Sequence, residues 1–207
     1  LAAETGQDVS VVVLEKGSEV GAHILSGAVM DPKAMDELIP DWKEKGCPFE
    51  TPVKNDTFLV LGPEGSIPLP VFLMPPMLHN HGMYIGSLGN VARWMGQQAE
   101  ALGVEIYPGF AASGLTYRED GSVKGVIAGV VGVEKNGEQG PNYSPGMELN
   151  GKYVLIGEGV RGSLAKKLIK DFKLDKDSQP QKFGIGIKEL WQIPAAQHKP
   201  GFVQHTF

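Results

Sequence analysis

The sequence predicts a mixed α/β fold, and three features support that class. Residues 9–14 form a run rich in β-branched side chains, which is typical of a parallel strand buried on both faces. Residues 87–103 repeat apolar side chains at three- and four-residue steps, which indicates an amphipathic helix, and a short strand follows at 104–107. Residues 113–135 contain hairpin turn signals that predict an antiparallel meander.

The composition is that of a folded globular protein, since 42% of the 207 residues are hydrophobic and 21% are charged. The net charge of −5 argues against nucleic-acid binding, which needs a basic surface. Cys47 is the only cysteine, which excludes an internal disulfide, a four-cysteine zinc site and a self-contained iron–sulfur cluster. The 28 glycines are about twice the usual share and predict many tight turns and close backbone approaches.

Both ends of the sequence suggest a section of a longer chain. Residues 1–6 resemble the last turn of a helix closed by Gly6, and a strand follows at once. A helix that leads into a parallel strand is the crossover of a βαβ unit, so we expect an earlier strand before residue 1. The last residues, 203–207, begin another predicted strand.

Glu15 and Lys16 end the first predicted strand. A carboxylate at the tip of the second strand of a dinucleotide-binding βαβ unit accepts hydrogen bonds from ribose hydroxyls. A solvated strand end is the alternative, and the G-x-G-x-x-G motif that would precede such a strand is not in the sequence.

A glycine-rich segment, residues 17–28, follows this strand. Its small residues allow backbone to pass close to a planar ligand, and His23 and Ser26 offer hydrogen bonds. A flexible loop is the alternative. Asp31 then predicts the N-cap of a short helix over 32–38, which Pro40 ends.

An uncharged stretch covers residues 65–92 and contains twelve consecutive apolar residues, 67–78. This apolar run is too short to span a bilayer, and its four prolines forbid a regular helix. It is suited to dip into a membrane face or to cap a hydrophobic pocket, and a buried proline-rich loop is the alternative. His79 and His81 lie at its end, but a two-residue histidine spacing on a loop is weak support for metal, and we predict no metal site.

The second candidate ligand site begins at residue 153. An apolar strand is expected there, running into Gly157-Glu158-Gly159 and then into a helix through 165–168. Glycines before a helix N-terminus favour a phosphate, and an ordinary strand–helix turn is the alternative. A polar loop is predicted over 138–147, and a glycine-alternating strand over 183–188 has one face able to lie flat against a ligand.

Taken together, these segments resemble the electron-transfer flavoprotein–ubiquinone oxidoreductase family, over essentially all 207 residues. The segments that carry the resemblance are 15–16, 20–28, 40–46, 79–84, 98–109, 120–125, 157–159, 164–166 and 184–191. The resemblance implies a Rossmann-like GR2-type FAD fold with an inserted mixed-sheet quinone-binding lobe. It divides the chain into a partial FAD domain (1–56), an apolar membrane and quinone-lobe segment (57–86), a continued FAD domain (87–182) and the start of a quinone-binding domain (183–207).

The family also implies particular site residues. Glu15 should hold the adenosine ribose, residues 21–28 should lie by the pyrophosphate and flavin, and residues 111–112 should offer backbone to the adenine. The implied cofactor-binding residues are Glu15, Lys16, Gly21, His23, Leu25, Ser26, Gly27, Ala28, Ala111, Ala112, Glu158, Gly159 and Gly162. The implied membrane- or quinone-facing residues are Phe58, Ile67, Leu69, Val71, Phe72, Leu73, Met74 and Met77.

The resemblance implies an enzyme that passes electrons from reduced electron-transfer flavoprotein to ubiquinone, using FAD and a [4Fe–4S] cluster held outside this segment. It implies a peripheral protein on the inner membrane, at the mitochondrial matrix face or the bacterial cytoplasmic face. Ser87 departs from family members with arginine there, and the quinone-contacting residues are expected beyond Phe207, so this section alone should be catalytically incomplete. The alternatives are a related FAD-dependent isoprenoid (geranylgeranyl) reductase and a non-enzymatic remnant.

Overall fold

The computed structural model describes residues 6–7, 9–25 and 27–207. The described chain contains three α-helices and thirteen β-strands, which confirms the mixed α/β class. The helices are α1 (Lys33–Leu38), α2 (Leu88–Ala101) and α3 (Ser163–Phe172). The strands are β1 (Val12–Glu15), β2 (Ala28–Met30), β3 (Thr51–Pro52), β4 (Asn55–Gly62), β5 (Gly65–Leu69), β6 (Tyr84–Gly86), β7 (Glu105–Pro108), β8 (Ala112–Tyr117), β9 (Val123–Ala128), β10 (Val131–Val133), β11 (Gln139–Ser144), β12 (Met147–Asn150) and β13 (Phe202–Thr206).

The chain divides into two compact units. The first consists of Leu1–Val20 and Ala99–Gly186, and the second consists of Gly21–Gln98 and Ile187–Phe207. The assignment of chain segments to cofactor and quinone domains stays a prediction.

In the first unit, β1 and β7 pair in parallel, with Val12 opposite Glu105 and Glu15 opposite Pro108. This pairing confirms the parallel strand, but the expectation that it is buried on both faces is wrong. Val12 and Val13 are both exposed, because within the described residues β7 is the only strand that pairs with β1.

The meander of the first unit forms a three-stranded antiparallel sheet in the order β12–β9–β8. Helix α3 packs on β8, where the Tyr117 hydroxyl donates to Asp171 at 3.0 Å. Leu115, Ala128 and Leu164 are the buried apolar side chains here.

Three predicted elements are corrected by the structure, and all but the last two residues of the third belong to the first unit. Part of the predicted polar loop, 138–147, is strand β11, which pairs with β10. No strand forms over 153–156 or 183–188, and the side chains of Tyr153 and Leu155 are 90% and 94% exposed. An extended segment needs a partner for its N–H and C=O groups, and neither segment has a paired strand among the described residues.

The second unit contains the antiparallel sheet β2–β6–β3. Beside it lies a buried group that we call the Trp42 cluster: Met30, Met35, Trp42, Cys47, Phe49, Val91 and Trp94. Helix α2 begins and ends within two residues of its predicted limits and contributes Val91 and Trp94 to this cluster. Helix α1 begins at Lys33, whose N–H donates to the Asp31 carboxylate at 2.9 Å, one residue later than predicted.

A second sheet of this unit has the order β13–β4–β5. Strands β4 and β5 form a hairpin, and β13 runs parallel to β4 with His205 opposite Phe58. The predicted strand at 203–207 is therefore confirmed, as Phe202–Thr206. After β5 the chain makes two 3₁₀ turns, Val71–Leu73 and Pro76–Leu78. Among the described residues, no helix has the length and apolar character needed to cross a membrane.

Candidate cofactor site and apolar loop

The Glu15 carboxylate lies at the carboxyl end of β1. Because β1 and β7 are parallel, their carboxyl ends meet at the same sheet edge, which is where open α/β sheets bind ligands. Glu15 Oε1 accepts the Gly17 N–H at 2.5 Å, the Gly17 carbonyl accepts the Gly109 N–H at 2.7 Å, and the Glu15 carbonyl accepts the Phe110 N–H at 3.1 Å. Two turns of backbone are thereby joined around this carboxylate.

Ala111 and Ala112 follow directly from that joined backbone and are half-buried. The Ala111 carbonyl accepts the Gly129 N–H at 3.2 Å, and Ala112 is the first residue of β8, opposite Ala128. Lys16 is exposed beside Glu15. The structure thus brings the predicted ribose and adenine positions to one edge of the first unit.

Glu158 caps helix α3 of the first unit. Its Oε2 accepts the N–H groups of Leu164 at 2.8 Å and Ala165 at 2.9 Å. A side chain at Gly162 would collide with the Glu158 side chain, and Gly159 has a φ of +80°, so both glycines are required by this turn. The helix N-terminus predicted to favour a phosphate is therefore already occupied by a carboxylate of the chain itself.

The predicted flavin loop, residues 21–28, lies in the second unit. Gly21 has a φ of +84°, and a Cβ there would lie 2.5 Å from the Gly89 carbonyl in the first turn of α2. This glycine is thus explained by close backbone packing within the protein. His23, Leu25 and Gly27 are exposed, and Ala28 begins β2. Ser26, also predicted to contact the cofactor, lies outside the described residues.

The apolar loop, defined as residues 67–78, exposes most of its large side chains. Phe72 is 80% and Met77 81% exposed, and Ile67 and Leu73 are also exposed. The remaining predicted members of the loop, Leu69, Val71 and Met74, are half-buried.

Phe58 differs from the rest of the predicted membrane-facing set because it is only 1% exposed. It stacks on His205, with ring centroids 4.3 Å apart. Its side chain is therefore not available to a surface, and it belongs to the interior of the β13–β4–β5 sheet.

Sequence reasoning missed a polar group in the second unit, formed by Asp56, Asn80 and His205. These residues are 24 and 125 positions apart and match no motif, so nothing in the sequence signals their contact. His79, considered weakly as a metal ligand, instead contacts the Val71 and Met74 carbonyls through Nε2, each at 3.0 Å. The described residues contain no group of three His, Cys, Asp or Glu side chains placed to hold a metal ion.

Comparison with known proteins shows which kind of protein these elements resemble. No family model matches the chain. A protein of Pseudomonas aeruginosa named electron transfer flavoprotein-ubiquinone oxidoreductase is 55% identical over 99% of the chain. Mitochondrial proteins of the same name from Dictyostelium discoideum and Mus musculus are 52% and 50% identical over the whole chain.

The chain covers 38% of the Pseudomonas relative, 34% of the Dictyostelium one and 33% of the mouse one. It therefore spans little more than a third of the length of the curated relatives it matches. At this identity the chain is similar to one section of a class of flavoprotein oxidoreductases. Over nearly its whole length it is a relative of electron transfer flavoprotein-ubiquinone oxidoreductases, which confirms the resemblance drawn from its motifs.

Proposed function

We propose that this chain is the FAD-binding and membrane-contacting section of an enzyme that transfers electrons from reduced electron-transfer flavoprotein to ubiquinone. The names of the relatives support the reaction and the two partners. The position of Glu15 at the carboxyl end of the parallel β1–β7 pair is the structural observation that supports cofactor binding most directly.

The residues around Glu15 suit the adenosine half of FAD. A carboxylate beside a half-buried backbone edge can accept hydrogen bonds from the ribose hydroxyls. The backbone of residues 111–112 would contact the adenine. Bound FAD would supply the redox chemistry, and the chain would bind and orient it. This arrangement supports the finer proposal of a GR2-type flavoprotein fold.

The turn at residues 157–162 is proposed to contribute to cofactor binding through its backbone conformation. Because Glu158 caps α3, the N-terminus of that helix is not the place for a cofactor phosphate. We assign Gly159, beside which the space is open, as the position of close backbone approach to the ribose and phosphates, whereas Gly162 faces the Glu158 side chain and shapes the turn.

The exposed loop at residues 21–28 is proposed to lie by the pyrophosphate and flavin. His23 is exposed there and able to donate or accept a hydrogen bond, and Leu25, Gly27 and Ala28 would supply close backbone contact. Gly21 would contribute by letting the loop pack closely on Gly89. Lys188 donates to the Gly27 carbonyl at 2.6 Å and so restrains the end of the loop.

The apolar loop is proposed to attach the protein to the surface of the inner membrane, at the mitochondrial matrix face or the bacterial cytoplasmic face. Its exposed Phe72 and Met77 would enter the lipid without a spanning helix. Since residues 65–92 carry no charge, attachment should not depend on anionic lipid.

The [4Fe–4S] cluster of the proposed enzyme needs cysteines from outside this chain, because Cys47 is the only one here and is buried.

The cofactor proposal is tested in a chimera in which this chain replaces the matching section of the Pseudomonas aeruginosa relative. In that chimera, Glu15→Ala should weaken FAD retention by about 10- to 100-fold, the effect of losing hydrogen bonds to a charged group. Flavin absorbance after dialysis and reduction of a ubiquinone analogue by reduced electron-transfer flavoprotein are the measurements.

Glu64→Ala, at the exposed β4–β5 turn, is the matched control and should retain flavin like the parent chimera. Equal flavin retention in the Glu15→Ala and Glu64→Ala proteins would contradict the assigned ribose contact. A chimera that holds FAD but reduces no quinone would contradict the proposed reaction.

A further inference from the structure

The apolar loop is closed at its base by a polar contact. Asp56 lies in β4 before the loop, and Asn80 follows the loop's last residue by two positions. Asp56 Oδ2 accepts the Asn80 N–H at 3.1 Å and the Asn80 Nδ2–H at 2.8 Å. One carboxylate oxygen of Asp56 therefore links the chain before the apolar loop to the chain after it.

This contact lies in a largely dry position. Asn80 is buried, and the Asp56 side chain is only 11% exposed. Hydrogen bonds to a charged group are roughly twice as strong as neutral ones, and removing a partner from a buried charge is costly. The Asp56–Asn80 contact is thus stronger than an ordinary surface hydrogen bond.

His205 is the third residue of this contact. Its Nε2 lies 3.0 Å from Asn80 Nδ2 and 3.3 Å from Asp56 Oδ1, while its ring stacks on Phe58. A neutral imidazole accepts a hydrogen bond from the Asn80 amide, and a protonated one pairs with the Asp56 carboxylate. His205 therefore has a partner in either protonation state.

His79 fastens the interior of the same loop. Its Nε2 lies 3.0 Å from the carbonyl oxygens of Val71, which begins the first 3₁₀ turn, and of Met74, which directly follows it. Phe72 and Leu73, both exposed, lie between these two carbonyls. The loop is thus held both at its base and across its apolar tip.

We propose that Asp56, Asn80 and His205 form a clasp that positions the apolar loop for membrane contact, with His79 as its second fastening. These are positioning residues, since they act through the loop and not on a ligand. The proposal rests on the membrane attachment proposed above, but its first test does not.

The first test measures amide hydrogen exchange in the 207-residue chain without membrane. Asn80→Asp places a second carboxylate against Asp56 in a buried position, so the clasp should open. The amides of Leu73, Met74, Leu78 and His79, which form the turn hydrogen bonds of the loop, should exchange at least about tenfold faster.

The second test adds vesicles of neutral phosphatidylcholine. Opening the clasp should lower the partition coefficient of the chain onto vesicles about tenfold. Adding Asp56→Asn to Asn80→Asp removes one of the two facing charges, so this double variant should recover most of the binding. Asn90→Asp, an exposed change at the start of α2, is the matched control and should behave like wild type.

Near-ultraviolet circular dichroism of Trp42 and Trp94, buried in the Trp42 cluster, checks that the rest of the unit is intact. With that signal unchanged, wild-type exchange rates in Asn80→Asp would overturn the clasp. Faster exchange with undiminished vesicle binding would overturn its positioning role. A wild-type chain that fails to bind vesicles would contradict the proposed membrane attachment, while the exchange rates would still decide whether the clasp exists.

Discussion

The Trp42 cluster and the apolar loop belong to the same unit and are both rich in large apolar side chains, yet one is buried and the other is exposed. In the cluster, the Trp42 ring meets Phe49 at 5.3 Å and Tyr84 at 5.6 Å in edge-to-face contacts. In the loop, Phe72 and Met77 are about four-fifths exposed. Apolar composition therefore does not decide burial here.

The difference lies in how the backbone is held. The cluster is formed by two helices, a sheet and the turns between them. The indole N–H groups of Trp42 and Trp94 are also satisfied, since they donate to Asp36 and to the Lys45 carbonyl. The loop contains four prolines, forms two short 3₁₀ turns and is fastened by polar groups at its base. These polar contacts join parts of the loop, while its large apolar side chains stay exposed.

The largest expected effect that tests this contrast is Trp42→Ala. It removes a buried aromatic side chain and should lower the free energy of unfolding by about 3 to 5 kcal/mol. Urea denaturation measures the change. Trp191→Ala is the matched control, because Trp191 is 75% exposed, and it should change the free energy by less than about 0.5 kcal/mol. Similar losses in both variants would contradict the contrast.

Phe72→Ser should leave the stability of the fold almost unchanged and should instead weaken binding to vesicles. The free energy of unfolding should change by less than about 0.5 kcal/mol, since the side chain is exposed. Partition onto neutral vesicles should fall about 10- to 150-fold, which corresponds to the roughly 1.5 to 3 kcal/mol gained when such a side chain is buried. Leu102→Ser, an exposed apolar change outside the loop, should leave partition unchanged. An equal fall in both variants would indicate non-specific adsorption.

The smallest expected effect is a difference in reaction rate between two thiols, that of buried Cys47 and that of a cysteine placed in the apolar loop. Burial raises the pKa of Cys47, so its thiolate is scarce and its reaction with iodoacetamide should be slow. A cysteine placed in the loop by Leu73→Cys should react at least about tenfold faster, measured by mass spectrometry of the labelled chain. Comparable rates at the two positions would show that the cluster opens as readily as the loop.

The raised pKa of Cys47 also predicts how the free energy of unfolding changes with pH. Ionisation of Cys47 is harder in the folded chain than in the unfolded one, so its contribution is complete below an unfolded pKa of about 8.5 and is lost as pH rises through the folded pKa. The free energy of unfolding of wild type should therefore decline more steeply above about pH 8.5 than that of Cys47→Ala. Parallel pH curves would contradict this assignment.

Elements with strong local signals were predicted well. The apolar periodicity of α2 and the glycine turn before α3 both depend on residues within a few positions, so a single sequence contains the necessary information. The β-branched run of β1 was likewise predicted as a parallel strand, and its pairing with β7 confirms this.

Strands that depend on a distant partner were predicted less well. Residues 153–156 are as apolar as many strands but lack a paired neighbour among the described residues, whereas the polar segment β11 forms a strand because β10 lies beside it. For the candidate site, the position of Glu15 at a strand end was foreseen, but the capping role of Glu158 was not, since it depends on the turn bringing the carboxylate onto the first N–H groups of α3.

The sequence by itself determined the fold class, the family relationship and the presence of an uncharged, proline-broken apolar segment, because composition, periodicity and motifs are local properties of the chain. Only the tertiary structure decided that Phe58 is buried while Phe72 is exposed, and that Asp56, Asn80 and His205 meet. Burial and polar contact are created when β4 and β13 pair across nearly 150 positions, and no local pattern specifies that pairing.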